Sequence, residues 1–71
     1  MDRIDSMRVF VAVAAHGSFA KAARHLRLSA SAASRAVAEL ETRLNLVLLN
    51  RTTRSVNLTE RGRIYLESCR R

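Results

Sequence analysis

The sequence is poor in cysteine, aromatic residues and acidic side chains, and it lacks a long apolar run. Its single cysteine, Cys69, excludes an internal disulfide, and without a second cysteine or clustered histidines it is not expected to bind a metal. No apolar segment approaches the roughly 18 residues of a membrane span. The short apolar segment at residues 10–15 follows acidic residues, unlike a signal peptide. These absences predict a soluble cytoplasmic protein.

Basic residues dominate the charged side chains of the sequence. The 71 residues include 13 basic and 6 acidic side chains, giving a formal net charge of +7 and a pI near 11.5. All of the basic residues except Lys21 are arginines, whose guanidinium binds phosphate and guanine in a forked geometry. The apolar fraction of 48% is too high for a disordered basic tail. We therefore expect one small folded domain with a thin core and a polyanionic partner.

Apolar spacing predicts three helices in the first 45 residues. The first covers about residues 3–15 and ends near Gly17. The second is capped by Ser18, and Ser29 caps the third, which ends at Asn45. Their predicted inward faces are Ile4, Met7, Phe10, Val11 and Ala14 in the first helix, Phe19, Ala22, Ala23 and Leu26 in the second, and Ala33, Val37, Leu40 and Leu44 in the third.

The pattern changes after Asn45. The segment VLLNRTTRSVNLT is rich in Val, Leu and Thr and predicts two short strands around a turn at residues 51–55. Thr59 then looks like the N-cap of a further helix, which the chain end is expected to cut off at Arg71. Gly62 weakens the prediction of this helix, because glycine costs about 1 kcal/mol relative to alanine.

The outward face of the third helix consists of small residues and one arginine. Steps of 100° per residue place Ser31, Arg35, Ala38 and Thr42 opposite the predicted inward face of this helix, with Ser34 beside them. Such a face lets a helix enter the DNA major groove, where Arg35 can reach guanine O6 and N7 and the serines can reach bases or phosphates. The plain alternative is an alanine-rich solvent face with one ordinary surface arginine.

The order of elements, two helices joined by a short turn and followed by a basic hairpin, is the layout of a winged helix-turn-helix. At FVAVAAHGSFAKAARHLRLSASAASRAVAELETRLNLVLLNRTTRSVNLTERG the sequence resembles the DNA-binding domain of bacterial LysR-type transcriptional regulators over about residues 4–66. The predicted fold is accordingly mainly α, a three-helix winged helix-turn-helix with a β-hairpin wing and the start of a linker helix.

Where that family often has an amide at Ala30 and a hydroxyl at Ala20, this sequence has neither. Specificity must then depend more on Arg35 and its neighbouring serines.

The resemblance implies a helix-turn-helix of residues 19–27 and 30–44, the latter being the recognition helix, and a wing of residues 48–58 that contacts phosphates and the minor groove. It further implies a DNA-binding domain of residues 1–58, a homodimer through the helix that starts at Thr59 (residues 59–71), and a pseudo-palindromic operator. A small-molecule effector would act only through a C-terminal domain absent from these residues. The candidate DNA-binding residues are Ser18, Ala30, Ser31, Ser34, Arg35, Arg51, Thr53 and Arg54.

Two other kinds of binding protein fit the composition less well. A non-specific or RNA-binding module would need aromatic side chains for base stacking, but the hairpin has none. A protein-interaction module would leave the arginine excess unexplained. An enzyme is not expected, because His16 and His25 have no accompanying nucleophile or acid pair. No catalytic residue, metal or cofactor is predicted, and Glu39 and Glu41 are expected to be solvated or paired with Arg35 or Arg43.

Overall fold

Four helices and a two-stranded antiparallel hairpin form the computed structural model, which describes residues 3–51 and 56–70, with side chains from residue 5 onward. In chain order these are α1 (Arg3–His16), α2 (Phe19–Leu26), α3 (Ala30–Leu44), β1 (Leu49–Arg51), β2 (Val56–Leu58) and α4 (Glu60–Cys69). The architecture confirms the predicted mainly helical fold with a hairpin and a final helix. The connection between the strands, with Thr53 and Arg54, lies outside the described residues.

The predicted helix starts are confirmed by side-chain caps. Ser18 accepts a hydrogen bond from the Lys21 amide at 3.2 Å, and Ser29 accepts one from the Ala32 amide at 3.0 Å. Thr59 does the same for Gly62 at 2.9 Å. Each hydroxyl satisfies an amide that the first turn of a helix leaves without an internal partner.

Left-handed residues follow the first three helices. Gly17 (φ 66°) and Asn45 (φ 55°) adopt this conformation after α1 and α3, as predicted. Arg27 (φ 62°) does so after α2, which the sequence did not indicate because arginine lacks the conformational freedom of glycine or the tolerance of asparagine. Its amide donates to the Arg24 carbonyl at 3.2 Å, so the turn into α3 is closed by backbone bonds.

The core lies where α1, α2 and α3 meet, and it extends under the hairpin and α4. Its buried apolar residues are Val9, Phe10, Val13, Ala22, Ala23, Ala33, Ala36, Val37, Leu40, Leu48, Leu49 and Leu66. The predicted inward face of α3 is confirmed, although Leu44 is only half-buried and Ala36 is buried in addition. In α2 the two alanines are buried and the larger Phe19 and Leu26 are half-buried.

The predicted inward face of α1 is confirmed in part, because its described members lie in the core or pack against it, but the prediction missed the buried Ser6, Val9 and Val13. The fully buried residues are Ser6, Val9, Phe10 and Val13, whereas Met7, Val11 and Ala14 are half-buried at its edges, and the Ile4 side chain lies outside the described residues. The cause is that α1 is covered from several sides, since it contacts α2, α3, α4 and β2. A helix packed in this way does not show one narrow apolar stripe.

The hairpin and α4 are joined to the helices through Leu48. The strands pair in the register Leu49 with Leu58, Asn50 with Asn57 and Arg51 with Val56. The Thr59 amide donates to the Leu48 carbonyl at 3.0 Å, and Gly62 lies directly against that peptide group. The start of α4 is therefore fixed relative to the first strand.

Candidate nucleic-acid interface

The predicted outward face of α3 is confirmed. Ser31, Arg35, Ala38 and Thr42 are exposed, and Ser34 is half-buried beside them. The Thr42 hydroxyl donates to the Ala38 carbonyl at 3.0 Å, so it is bonded to its own helix and does not extend outward. These four positions are therefore shallow apart from Arg35, as a helix that enters a groove requires, and Glu39 is exposed beside them.

The starts of α2 and α3 hold two further candidate residues. Ser18 is half-buried and its hydroxyl already caps α2. Ala30 is exposed as the first residue of α3 and can offer a ligand only its backbone and methyl group. Cations flank them, since Lys21 and Arg24 on α2 and Arg27 after it are exposed.

Arg51 and Ser34, both candidate residues, are brought into contact. The Arg51 Nη1 donates to the Ser34 Oγ at 2.7 Å, across 17 positions of sequence. The same guanidinium lies over the ring of Phe19, with Cζ 4.2 Å from the ring centroid, a cation–π geometry. The base of the wing is thereby attached to both helices of the helix-turn-helix. Thr53 and Arg54, the remaining wing candidates, lie outside the described residues.

The two glutamates of α3 have different roles. Glu39 pairs with Arg43 at 3.1 Å, as predicted for a solvated helical pair. Glu41 instead accepts hydrogen bonds through Oε2 from the amides of Leu48 and Leu49, at 2.8 and 3.3 Å. Its predicted solvated or arginine-paired role is therefore wrong: the carboxylate satisfies backbone donors where the chain enters β1.

The remaining titratable residues include two histidines in contact and the thiol of Cys69. His16 and His25 are exposed with ring centroids 5.2 Å apart, a contact that sequence spacing did not reveal. Among the described side chains, no three or more of His, Cys, Asp and Glu are placed to hold a metal. Burial raises the pKa of the Cys69 thiol, an effect that a hydrogen bond with Tyr65 partly opposes.

A helix-turn-helix followed by an antiparallel hairpin, with a shallow basic outer face, defines the winged helix-turn-helix class. Residues 4–63 match the family described as bacterial regulatory helix-turn-helix protein, lysR family. This chain belongs to the LysR family of bacterial regulatory helix-turn-helix proteins.

Characterised relatives are similar along almost the whole chain. The transcriptional activator AaeR of Escherichia coli K12 is 52% identical over 71 residues, which is 100% of this chain and 23% of AaeR. The transcriptional regulator CrgA of Neisseria meningitidis serogroup C (strain 8013) is 46% identical over 67 residues, which is 94% of this chain and 22% of CrgA. The chain thus spans about a quarter of the length of these relatives.

Solved structures agree with the fold throughout. The DNA-binding domain of CbnR in complex with DNA superimposes with a TM-score of 0.92 at 37% identity, covering 99% of this chain and 79% of that one. The DNA-binding domain of BenM in complex with the catB site 1 DNA gives 0.90 at 35% identity, covering 97% and 76%. No helix in the described ranges is long and apolar enough to cross a membrane.

Proposed function

We propose that this chain binds double-stranded DNA sequence-specifically, as the DNA-binding domain of a bacterial LysR-type transcriptional regulator. In this proposal α3 enters the major groove and the wing of residues 48–58 contacts the minor groove and phosphates. The observation that carries it is the exposed face of α3, where Arg35 projects beside the small residues Ser31, Ala38 and Thr42. The net charge of +7 favours a polyanionic partner, and the solved relatives bound to DNA support a duplex as that partner.

The proposed contacts divide into two kinds. Arg35 would contact base edges, Ser31 and Ser34 would contact base edges or phosphates, and Ser18, Ala30, Arg51, Thr53 and Arg54 would contact phosphates or the minor groove. The division into residues 1–58 for DNA binding and residues 59–71 for a dimerising helix belongs to the same proposal. So do the cytoplasmic location, the homodimer on a pseudo-palindromic site, the absence of a cofactor in this segment, and a small-molecule effector that acts through a separate domain.

The test begins with selection of bound duplexes from random DNA, followed by salt titrations of binding to the selected and to a random duplex. We expect both affinities to fall as salt rises, because phosphate contacts release counterions. At equal salt the selected duplex should bind tighter by a factor on the order of 10³ or more. Equal affinity for both duplexes at every salt concentration would contradict base-specific recognition and favour a non-specific nucleic-acid binder.

A further inference from the structure

The guanidinium of Arg51 is held by contacts from two different helices. Phe19 of α2 offers its ring face at 4.2 Å, and Ser34 of α3 accepts a hydrogen bond from Nη1 at 2.7 Å. An aromatic face attracts a cation placed over it, and a hydrogen bond from a charged donor is shorter and stronger than a neutral one. Because Arg51 is exposed, these contacts restrict the orientation of a side chain that solvent would otherwise leave free.

The direction of this hydrogen bond decides what the Ser34 hydroxyl can do next. Arginine has only donors, so the Ser34 Oγ must be the acceptor. A serine hydroxyl has one proton of its own, and no described residue accepts that proton from Ser34. Ser34 is also only half-buried, next to the outward face of α3. Ser34 therefore keeps its proton and one lone pair, and the charged Arg51 donor polarises the hydroxyl so that it becomes a stronger donor.

We propose that Phe19 and Arg51 are positioning residues that make Ser34 a hydrogen-bond donor toward DNA. This inference rests on the proposed DNA-binding function. Ser34 would then select acceptors, which are a phosphate oxygen or, in the major groove, guanine N7 and O6, adenine N7 and thymine O4. Pairing with these acceptors would be favoured over acceptance from adenine N6 or cytosine N4, which the second lone pair of Ser34 also permits. Phe19 takes part without touching DNA, since it acts through the orientation of Arg51.

A double-mutant cycle on Ser34 and Arg51 tests the coupling. Ser34→Ala and Arg51→Met should each weaken binding to the selected duplex by about 3- to 10-fold. In the double variant the combined loss should be at least about 3-fold smaller than the product, because either change alone already breaks the shared hydrogen bond. If the losses of affinity in the two single variants simply multiply in the double variant, the inference is overturned. The proposed function is untouched by that result as long as the wild type still prefers the selected duplex.

Variants of Phe19 separate positioning from packing. Phe19→Leu keeps an apolar side chain but removes the ring, and should weaken binding by about 2- to 5-fold. Phe19→Tyr retains the ring and should bind like the wild type. In the Arg51→Met background Phe19→Leu should have no further effect, and an equal effect in both backgrounds would contradict the positioning role. Circular dichroism and urea unfolding of each variant keep a loss of folding from being mistaken for a loss of orientation.

The Ser34→Ala variant also distinguishes the two acceptor sources. Repeating the selection from random DNA should relax the preference at one base pair if the acceptor is a base edge. If it is a phosphate, affinity should fall equally on selected and random duplexes with unchanged preferences. Unchanged affinity on both duplexes would overturn the inference. A wild-type chain that does not distinguish the two duplexes would overturn the proposed function, and the inference with it.

Discussion

Arg35 is the one long side chain among the predicted outward positions of α3, where Ser31, Ala38 and Thr42 are also exposed; Glu39, one turn after Arg35, is exposed and paired with Arg43. Arg35→Ala should therefore remove a base contact and cost about 1–3 kcal/mol of binding free energy on the selected duplex. The loss should be concentrated at one base pair, which selection from random DNA with the variant would reveal. An equal loss on selected and random DNA would instead identify Arg35 as a phosphate contact. Arg43→Ala is a suitable control, because Arg43 is paired with Glu39 on the same helix.

Ser6 is a polar residue within the core. Its side chain is completely buried, and its Oγ has no hydrogen-bond partner in the described part of the chain. A buried hydroxyl without a partner costs the free energy of removing it from water. We expect Ser6→Ala to raise the free energy of unfolding by about 1 kcal/mol in a urea titration. The matched Ser29→Ala variant, which loses the N-cap of α3, should lower it by about 1 kcal/mol. A decrease for Ser6→Ala would show that the hydroxyl is bonded after all.

At the scale of elements, local chemistry predicted more than packing did. Caps at Ser18, Ser29 and Thr59 involve residues three positions apart, so their pattern is visible in the sequence. The inward face of α1 was predicted only in part, with Val9 and Val13 missed, because its burial depends on elements that approach from distant parts of the chain.

In the candidate site, too, local features were predicted from the sequence and tertiary contacts were not. The exposed face of α3 follows from helical geometry and was predicted correctly. The contacts of Arg51 with Ser34 and Phe19, and of Glu41 with the start of β1, join segments whose relative placement no local pattern specifies. Side chains of this length can reach several neighbours, and tertiary structure decides which one they bind.

Gly62 illustrates how an element-scale expectation changes once packing is known. Alanine favours a helix by about 1 kcal/mol over glycine, so Gly62→Ala should stabilise an isolated α4. In the protein a methyl group at this position would meet the carbonyl oxygen of Leu48 and lie 2.8 Å from its carbonyl carbon. That carbonyl is itself bonded to the Thr59 amide and cannot move freely.

We therefore expect Gly62→Ala to lower the free energy of unfolding by about 1–3 kcal/mol, the usual range for overpacking. Thermal and urea unfolding monitored by circular dichroism would measure this. Ser68→Ala, at an exposed site of the same helix, should change stability by less than about 0.5 kcal/mol. A Gly62→Ala variant more stable than the wild type would show that the contact with Leu48 relaxes at no cost.

At the scale of the whole molecule, the chain has two exposed large apolar side chains among its described residues. Ile64 on α4 is 57% exposed, and Val47 before β1 is 63% exposed. A small domain makes few contacts with DNA, and two recognition helices are needed to read two half-sites. The helix that starts at Thr59 is the proposed dimer contact, and Ile64 is its most accessible apolar residue.

We expect a monomer–dimer equilibrium that depends on protein concentration and is weakened by Ile64→Glu, whereas Ile64→Val should dimerise like the wild type because it keeps an apolar side chain. Sedimentation in the absence of DNA measures this.

On DNA, binding should be cooperative when two half-sites lie about one helical turn apart, about 34–36 Å. Inserting about five base pairs turns one half-site to the opposite side of the duplex and should abolish cooperativity. Equal affinity per half-site with and without the insertion, together with no effect of Ile64→Glu, would contradict a dimer formed through α4.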